Sequence, residues 1–396
     1  MRLRGAFDHE ASTRTLGTVS PLALATGPSL PGDRLGSDCY GRAFRFDPFD
    51  AYAAGVVTNP NLLVFGQIGR GKSALVKSLI HRSLARGRRA WVVDPKGEYG
   101  PLCAAFGGSH LKLAPSGKLR LNPLEADDPS GLVCSLLSTV MARRIRPAER
   151  AAVELASARA SQLEQLAHAL LEPSAQDAAS IATSKSRLAE DGREVGLELR
   201  RMVAGDLAGM FDGPTSAEVD ATARLVVVDL SATYGSDAMG LVVACALASL
   251  QARASVDPRP GLVVVDEAWA VLRERGTAEW LQASWKLARS RGLANIAVLH
   301  RPSDLEVAGG ASGELAGIAR GLLADSETKV LYAQSQAELR AAGELIGLAS
   351  HERALLAGLT RGHALWQVGG QLHAVRHELL AEELAWSNTD AAMELG

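Results

Sequence analysis

The sequence has little of what would mark an exported, disulfide-stapled or membrane-spanning chain. Its four cysteines, Cys39, Cys103, Cys134 and Cys245, are scattered and form no C-x-x-C pair. That spacing gives neither a disulfide framework nor a thiolate zinc site, and reads as reduced thiols of a cytoplasmic protein. The nine histidines include no H-E-x-x-H pattern, which removes the commonest helical zinc-hydrolase arrangement. No stretch reaches the ~20 apolar residues needed to cross a bilayer. The longest apolar run, around Leu241–Leu250, reads instead as a buried helix. The basic start Met1-Arg2-Leu3-Arg4-Gly5 runs into Asp8-His9-Glu10, with no apolar core of a signal peptide behind it. A strong charge bias is also missing. With a formal net charge of −2 no global field draws the chain to nucleic acid, so such binding would depend on local basic patches.

What is present is an ordinary globular composition, 47% hydrophobic and 22% charged, in 396 residues. That length holds about two to three domains. One stretch dominates: Gly66-Gln67-Ile68-Gly69-Arg70-Gly71-Lys72-Ser73, the G-x-x-x-x-G-K-S pattern of a phosphate-binding loop. Asn61–Phe65 before it reads as a buried strand, and Ala74–Ile80 after it has apolar residues at helical spacing. Glycines let such a loop wrap phosphate oxygens, and the N–H groups of the helix start, helped by its dipole, point at the anion. The loop and its neighbour Ala74 form the expected nucleotide cradle. Lys72 is placed to reach the β- and γ-phosphates and Ser73 to ligate Mg²⁺.

Residues 1–45 are rich in Gly, Pro, Ser and Thr and read as an irregular arm with room for one short strand. The basic run His81, Arg82, Arg86, Arg88 and Arg89 reads as a solvated helix end complementing the dipole. Arg89–Asp94 is the next strand. It ends in the turn Asp94-Pro95-Lys96-Gly97-Glu98-Tyr99, which should lie near a nucleotide because ligands of open α/β sheets sit at the carboxyl ends of strands. From Ser130 to Met210 alanine, leucine, glutamate and arginine dominate, and four or five helices are expected, with breaks near Arg146-Pro147, Glu172-Pro173 and Asp191-Gly192. Within that stretch Arg143, Arg144, Arg146 and Arg150 could grip phosphate or simply form a solvated face.

Strand signals return at Leu225–Asp229, Leu262–Asp266, Ile296–Leu299 and Lys329–Tyr332, with helical patterns between them. This alternation predicts a doubly wound parallel sheet. Two pieces flanking Gly369-Gly370 read as a closing hairpin. The expected organisation is an arm over 1–50, an ATPase core over 51–129 and 211–396, and a helical insertion over 130–210.

Three further places carry chemistry. Asp266-Glu267 ends an apolar strand, so Asp266 suits a Mg²⁺ ligand and Glu267 the base that orients and deprotonates a water. Two acids capping the next helix would be the plain alternative. Arg289 and Arg291 close a helix, either as dipole-compensating charges or as arginines that reach a neighbouring subunit's γ-phosphate. His300 ends the strand Ile296–Leu299, either as a γ-phosphate sensor or as a packed strand end.

Taken in order, Gly66–Ser73, Asp94-Pro95-Lys96-Gly97-Glu98, Leu121-Asn122-Pro123-Leu124, Leu225–Leu230 and Asp266-Glu267-Ala268-Trp269 resemble the cytoplasmic ATPases of conjugative type IV secretion systems, the TraC/TrbE-like family of the HerA–FtsK superfamily. The likeness extends to Ala324–Val330 and to Gly362 before the last strands, and covers about residues 55–385. That family usually carries Thr-Gln where this chain has Leu299-His300, although an imidazole can also donate to phosphate. Its members also carry a large N-terminal domain, whereas residues 1–50 here are short and irregular. The resemblance implies a RecA-like P-loop fold and Mg²⁺-dependent ATP hydrolysis. It further implies a hexameric homo-oligomer, DNA and inner-membrane secretion or conjugation components as partners, and a cytoplasmic location at the inner face of the membrane. Two rival readings remain at this point: a HerA/FtsK-like DNA translocase without a secretion channel, and a nucleotide-gated scaffold that does not hydrolyse.

Overall fold

The computed structural model describes residues 30–387, apart from Ala142, Asp206, 217–219, 221–222, Asp237, 257–258, Glu274 and 308–313. The chain begins with strands β1 (Asp33–Asp38) and β2 (Ala43–Phe46) and helix α1 (Pro48–Ala53). Next come β3 (Leu62–Phe65), α2 (Lys72–Ala85), β4 (Arg89–Asp94), α3 (Gly100–Ala105) and β5 (Ser109–Lys112). Among the described residues from there to β6 (Leu225–Asp229) there are helices but no strand: α4 (Pro129–Val140), α5 (Pro147–Ser157), α6 (Leu163–Leu171), α7 (Ala175–Ser180) and α8 (Lys185–Ala204), besides a 3₁₀ turn at Pro123–Glu125. Then follow α9 (Met239–Val256), β7 (Gly261–Val265), α10 (Trp269–Leu272), α11 (Arg275–Leu287) and β8 (Leu293–Leu299). The last elements are α12 (Asp304–Val307), α13 (Glu314–Ala324), β9 (Thr328–Tyr332), α14 (Gln336–Ile346), α15 (Ser350–Gly358), β10 (His363–Val368), β11 (Gln371–His377) and α16 (Ala381–Ser387).

All strands among the described residues join one 11-stranded sheet in the order β2-β1-β11-β10-β9-β3-β8-β7-β4-β6-β5. From β5 to β9 the neighbours are parallel. Their apolar runs are buried throughout, β6 as Leu-Val-Val-Val-Asp and β7 as Gly-Leu-Val-Val-Val, as a strand covered on both faces requires. The order places β8 between β3 and β7, so three carboxyl ends lie side by side. The remaining strands pair antiparallel. The β10–β11 hairpin turns at Gly369-Gly370, both with positive φ, the two-residue geometry whose twist matches the strands.

The expectation of an irregular arm over 1–50 is corrected from residue 30 onward; residues 1–29 lie outside the described residues. β1 and β2 extend the sheet because β11, arriving from the far end of the chain, pairs with β1 through Gly36↔His377 and Asp38↔Val375. The local sequence Asp-Arg-Leu-Gly-Ser-Asp carries little strand signal without that partner. The basic run after the phosphate-binding motif differs from its reading as well. Arg86 pairs with Asp33 and Asp50, and Arg88 with Asp47 and Asp50, so both tie α1 and the edge strands to the core. His81 and Arg82 are buried against Glu383 of α16.

The expected break at Asp191-Gly192 is also corrected, since α8 runs through it. Gly192 lies against α6, where a Cβ would come within 2.6 Å of the Leu170 carbonyl oxygen. The glycine serves close helix approach instead of ending the helix. The buried faces of α4 to α8 join the apolar cluster that contains Leu63, Phe65, Trp91 and Val93 of the sheet. Among the described residues no helix is long and apolar enough to cross a membrane; α9 is buried along Leu241–Leu250.

Candidate functional site

The Gly66–Ser73 loop leaves the carboxyl end of β3 and enters α2. Gly66 donates its N–H to Leu299 O of β8 at 3.3 Å. A Cβ on Gly66 would lie 2.6 Å from the Cβ of Tyr332, so only glycine fits there, and Gly71 starts α2 at φ 111. The ammonium of Lys72 folds back onto the loop, donating to Gly66 O and, at 3.0 Å, to Gln67 O. Burial lowers it to about 8, against the pull of Asp266 nearby. Arg70 reaches Gln67 with its guanidinium at 3.5 Å, and its carbonyl accepts from Gly362 N at 3.1 Å. Ile68, Gly69, Ser73 and Ala74 line the cleft directly, and Ile68 is 80% exposed.

Asp266 and Glu267 follow β7 and face the same cleft. Asp266 is buried, accepts from Tyr99 Oη at 3.2 Å, and caps Glu267 N at 2.9 Å. Burial, reinforced by the adjoining Glu267 carboxylate, pushes its carboxyl up to about 6. Glu267 has φ 53, a left-handed conformation that non-glycine residues seldom adopt. Its carboxylate is held by three donors: Lys96 on Oε1, and His300 Nε2 (2.8 Å) with Trp269 Nε1 on Oε2. Burial alone would raise this acid, but the bonds from His300 and Lys96 outweigh it and hold the carboxyl down at about 2.

His300 reaches Glu267 because β8 lies beside β7, and its backbone N–H is fixed by Asp304 at 3.0 Å. Lys96 arrives from the Asp94–Tyr99 turn. Asp94 shapes that turn by accepting from Gly97 N and Tyr99 N, each at 2.9 Å. Lys96 carried no motif signal of its own beyond that turn. Arg361 and Ser387, from the far end of the chain, also line the cleft and were passed over by sequence reading, as was Tyr332, which supports the loop: its hydroxyl donates to Gly71 O at 3.2 Å and is bonded to His377 Nδ1 at 2.8 Å. Trp366 Nε1 donates to His377 Nε2 at 2.8 Å. That fixes the histidine's proton on Nδ1 and leaves a continuous path from β10 to the loop.

Lys72, Ser73, Asp266 and Glu267 therefore meet at one cleft, with His300 bonded to Glu267. Arg289 and Arg291 do not join them. They form a 3₁₀ turn before β8, at the amino ends of the parallel strands, whereas the loop is at the carboxyl ends. Arg291 pairs with Asp127 at 2.6 Å, and Arg289 donates to Thr58 O at 3.4 Å. Arg143 and Arg146 of the helical stretch are engaged with Glu149 and Glu194, so their charge is largely offset locally.

Ser73 and Asp266 offer a hydroxyl and a carboxylate, the hard oxygen donors that suit Mg²⁺ shared with phosphate. The excess of buried carboxylate around Asp266 also fits a dication. The loop can bind phosphate, and Glu267 can act as a base once a water replaces one of its donors.

The family model of the TraG P-loop domain matches residues 32–133. No curated protein is significantly similar in sequence. Among solved structures, VirB4 of Thermoanaerobacter pseudethanolicus is similar with TM-score 0.74 and 22% identity, over 91% of this chain and 99% of that one. The bacterial conjugative coupling protein TrwB, in an unbound form, is similar with TM-score 0.60 and 18% identity, over 88% and 89%. TrwB in complex with ADP and Mg²⁺ gives TM-score 0.55 and 19% identity, over 81% and 85%. The fold is thus the RecA-like P-loop NTPase fold that these proteins share.

Proposed function

We propose that this chain is an ATP-hydrolysing motor of the type IV secretion and conjugation type, powering transfer of DNA or protein. The observation that carries the reading is the meeting of Lys72, Ser73, Asp266 and Glu267 at one cleft between the carboxyl ends of β3 and β7. The resemblance to VirB4 and to TrwB, one form of which holds ADP and Mg²⁺, supports the substrate and its cation.

In this mechanism the loop N–H groups and α2 bind the phosphates, and Lys72 leaves the loop carbonyls for the β- and γ-oxygens. Mg²⁺ held by Ser73 and Asp266 would supply positive charge against the charge that develops on those oxygens. Glu267 orients a water in line with the γ-phosphorus and takes its proton, while His300, at the neighbouring strand end, orients Glu267 through its Nε2. The bond that breaks is the one between the γ-phosphorus and the bridging oxygen, leaving ADP and phosphate.

The wider reading is a homo-hexameric ring acting on DNA or protein in the cytoplasm, peripheral to inner-membrane secretion or conjugation components. In that ring at least one of Arg289 and Arg291 serves the neighbouring subunit, and 130–210 forms an inserted subdomain. The test is phosphate release from Mg²⁺–ATP by the purified protein, with and without DNA. Steady turnover that disappears in Glu267→Gln supports the motor. Tight ATP binding with no phosphate release under either condition would leave the nucleotide-gated scaffold in its place.

A further inference from the structure

Glu267 is the residue the hydrolytic reading needs as a base, yet none of its geometry is that of a base ready to act. A carboxylate has about four lone-pair sites, two on each oxygen. On Oε2 both are taken, by His300 Nε2 and Trp269 Nε1. On Oε1 one is taken by the ammonium of Lys96. The side chain of Glu267 is 1% exposed, so water has little access to the remaining site. Oε1 is the oxygen a water could use, and Lys96 covers it.

Lys96 differs from the other two donors. His300 and Trp269 carry rigid rings, the first just after β8 with its backbone N–H held by Asp304 and the second at the start of α10. Lys96 has a flexible stem, its side chain is 21% exposed, and it lines the same cleft as Lys72 and Ser73. The base of that stem is held still, since Asp94 clamps the turn through Gly97 N and Tyr99 N. A lysine head is a compact point charge that can exchange one anion for another by rotation about its stem.

We propose that Lys96 is a triphosphate-sensing residue that is handed from Glu267 Oε1 to the γ-phosphate, uncovering the base only when a triphosphate is bound. This rests on the nucleotide-hydrolysis reading above and deepens it. The γ-phosphoryl group carries more negative charge than one carboxylate, and it enters the cleft on which the Lys96 head borders. A diphosphate ends at the group that Lys72 holds and gives Lys96 nothing to move to. Glu267 then stays covered, and no water is activated beside a product.

The test is a binding cycle on the full chain with Mg²⁺, measuring Kd for ADP and for the non-hydrolysable triphosphate AMP-PNP. In Lys96→Met the AMP-PNP Kd rises about tenfold or more, as loss of a charge-assisted bond implies, while the ADP Kd stays within about twofold of the parent. Lys96→Arg recovers most of the triphosphate affinity. A structural role would move both nucleotides together and would not be rescued in this selective way. A second variant covers the case in which Lys96→Met folds poorly. Glu267→Gln removes the charge that tethers Lys96, so AMP-PNP binds severalfold tighter than in the parent and ADP does not, and the gain vanishes when Lys96→Met is added. Equal shifts for both nucleotides, an unchanged ratio, or a Glu267→Gln gain that survives without Lys96 would each overturn the handover. A parent protein that binds neither nucleotide would overturn the hydrolytic reading itself and with it this inference.

Discussion

At the scale of single residues the cleft combines opposed charges that burial makes expensive unless they meet. Lys72 sits at about 8 because it is buried, and Asp266 at about 6 for the same reason, while Glu267 is held at about 2 by its donors. In the proposed mechanism Lys72 is the cation that meets the phosphates, so Lys72→Ala is expected to abolish phosphate release, measured under saturating Mg²⁺–ATP. Near-parent turnover in that variant would show that the loop is not the catalytic site. Glu267→Gln is expected to bind nucleotide and to lose hydrolysis by about 10²–10⁴-fold, the usual worth of a general base. Loss of nucleotide binding along with hydrolysis would instead assign Glu267 a structural role.

At the scale of elements, α2 is held from two sides. On one side Glu383 of α16 accepts from Ser78 Oγ (2.8 Å), His81 Nδ1 (3.0 Å) and Arg82 Nε (3.1 Å), all buried. Removing one partner of such a cluster leaves buried charge uncompensated, which costs about 3–5 kcal/mol. Glu383→Ala should therefore lower the stability read from urea unfolding by that order, and a change under about 1 kcal/mol would show the cluster to be dispensable. On the other side, the Trp366–His377–Tyr332–Gly71 path ties β10, β11 and β9 to the loop. Burial holds His377 down at about 3. An unfolded histidine, near 6.5, binds a proton below that pH while the folded one does not. Stability is thus complete above pH 6.5 and declines as the pH falls towards 3. Comparing pH 7.5 with 5.5, the parent should lose roughly 1 kcal/mol more than His377→Asn. Identical pH dependence in the two proteins would place the proton elsewhere.

At the scale of the whole molecule, the question is what meets the amino ends of the strands. Arg289 and Arg291 lie there, away from their own chain's loop, where only another subunit could bring them to a nucleotide. As helix-end charges they are worth about 0.3–1 kcal/mol, whereas an arginine supplied in trans is worth ~10³–10⁵ in rate. At least one of Arg289→Ala and Arg291→Ala is expected to bind ATP as the parent does yet hydrolyse it poorly. Mixing that variant with Lys72→Ala protein should restore part of the turnover, since each supplies what the other lacks. If both variants keep parent turnover in assembled particles, neither is the finger, and their roles end at Asp127 and Thr58.

The sequence by itself determined the features whose cause is local. Strand, glycine-rich loop and helix around Gly66–Ser73 follow from apolar runs and turn chemistry, as do the apolar strand that leads into Asp266 and the Gly369-Gly370 hairpin. The parallel α/β character followed from alternation alone. Only the tertiary structure decided which strand ends become neighbours. Setting β8 between β3 and β7 brings His300 onto Glu267, and setting β11 beside β1 turns an apparently irregular arm into sheet. The clamp of Lys96 on Glu267, the bond from Tyr332 to Gly71 across 261 positions and that from Ser78 to Glu383 across 305 have the same origin. The physical reason is that period, capping and turn geometry are set within a few residues, whereas the partner of a buried charge is set by how the whole sheet closes. Lysine, histidine and glutamate look alike in sequence whether water or one another surrounds them.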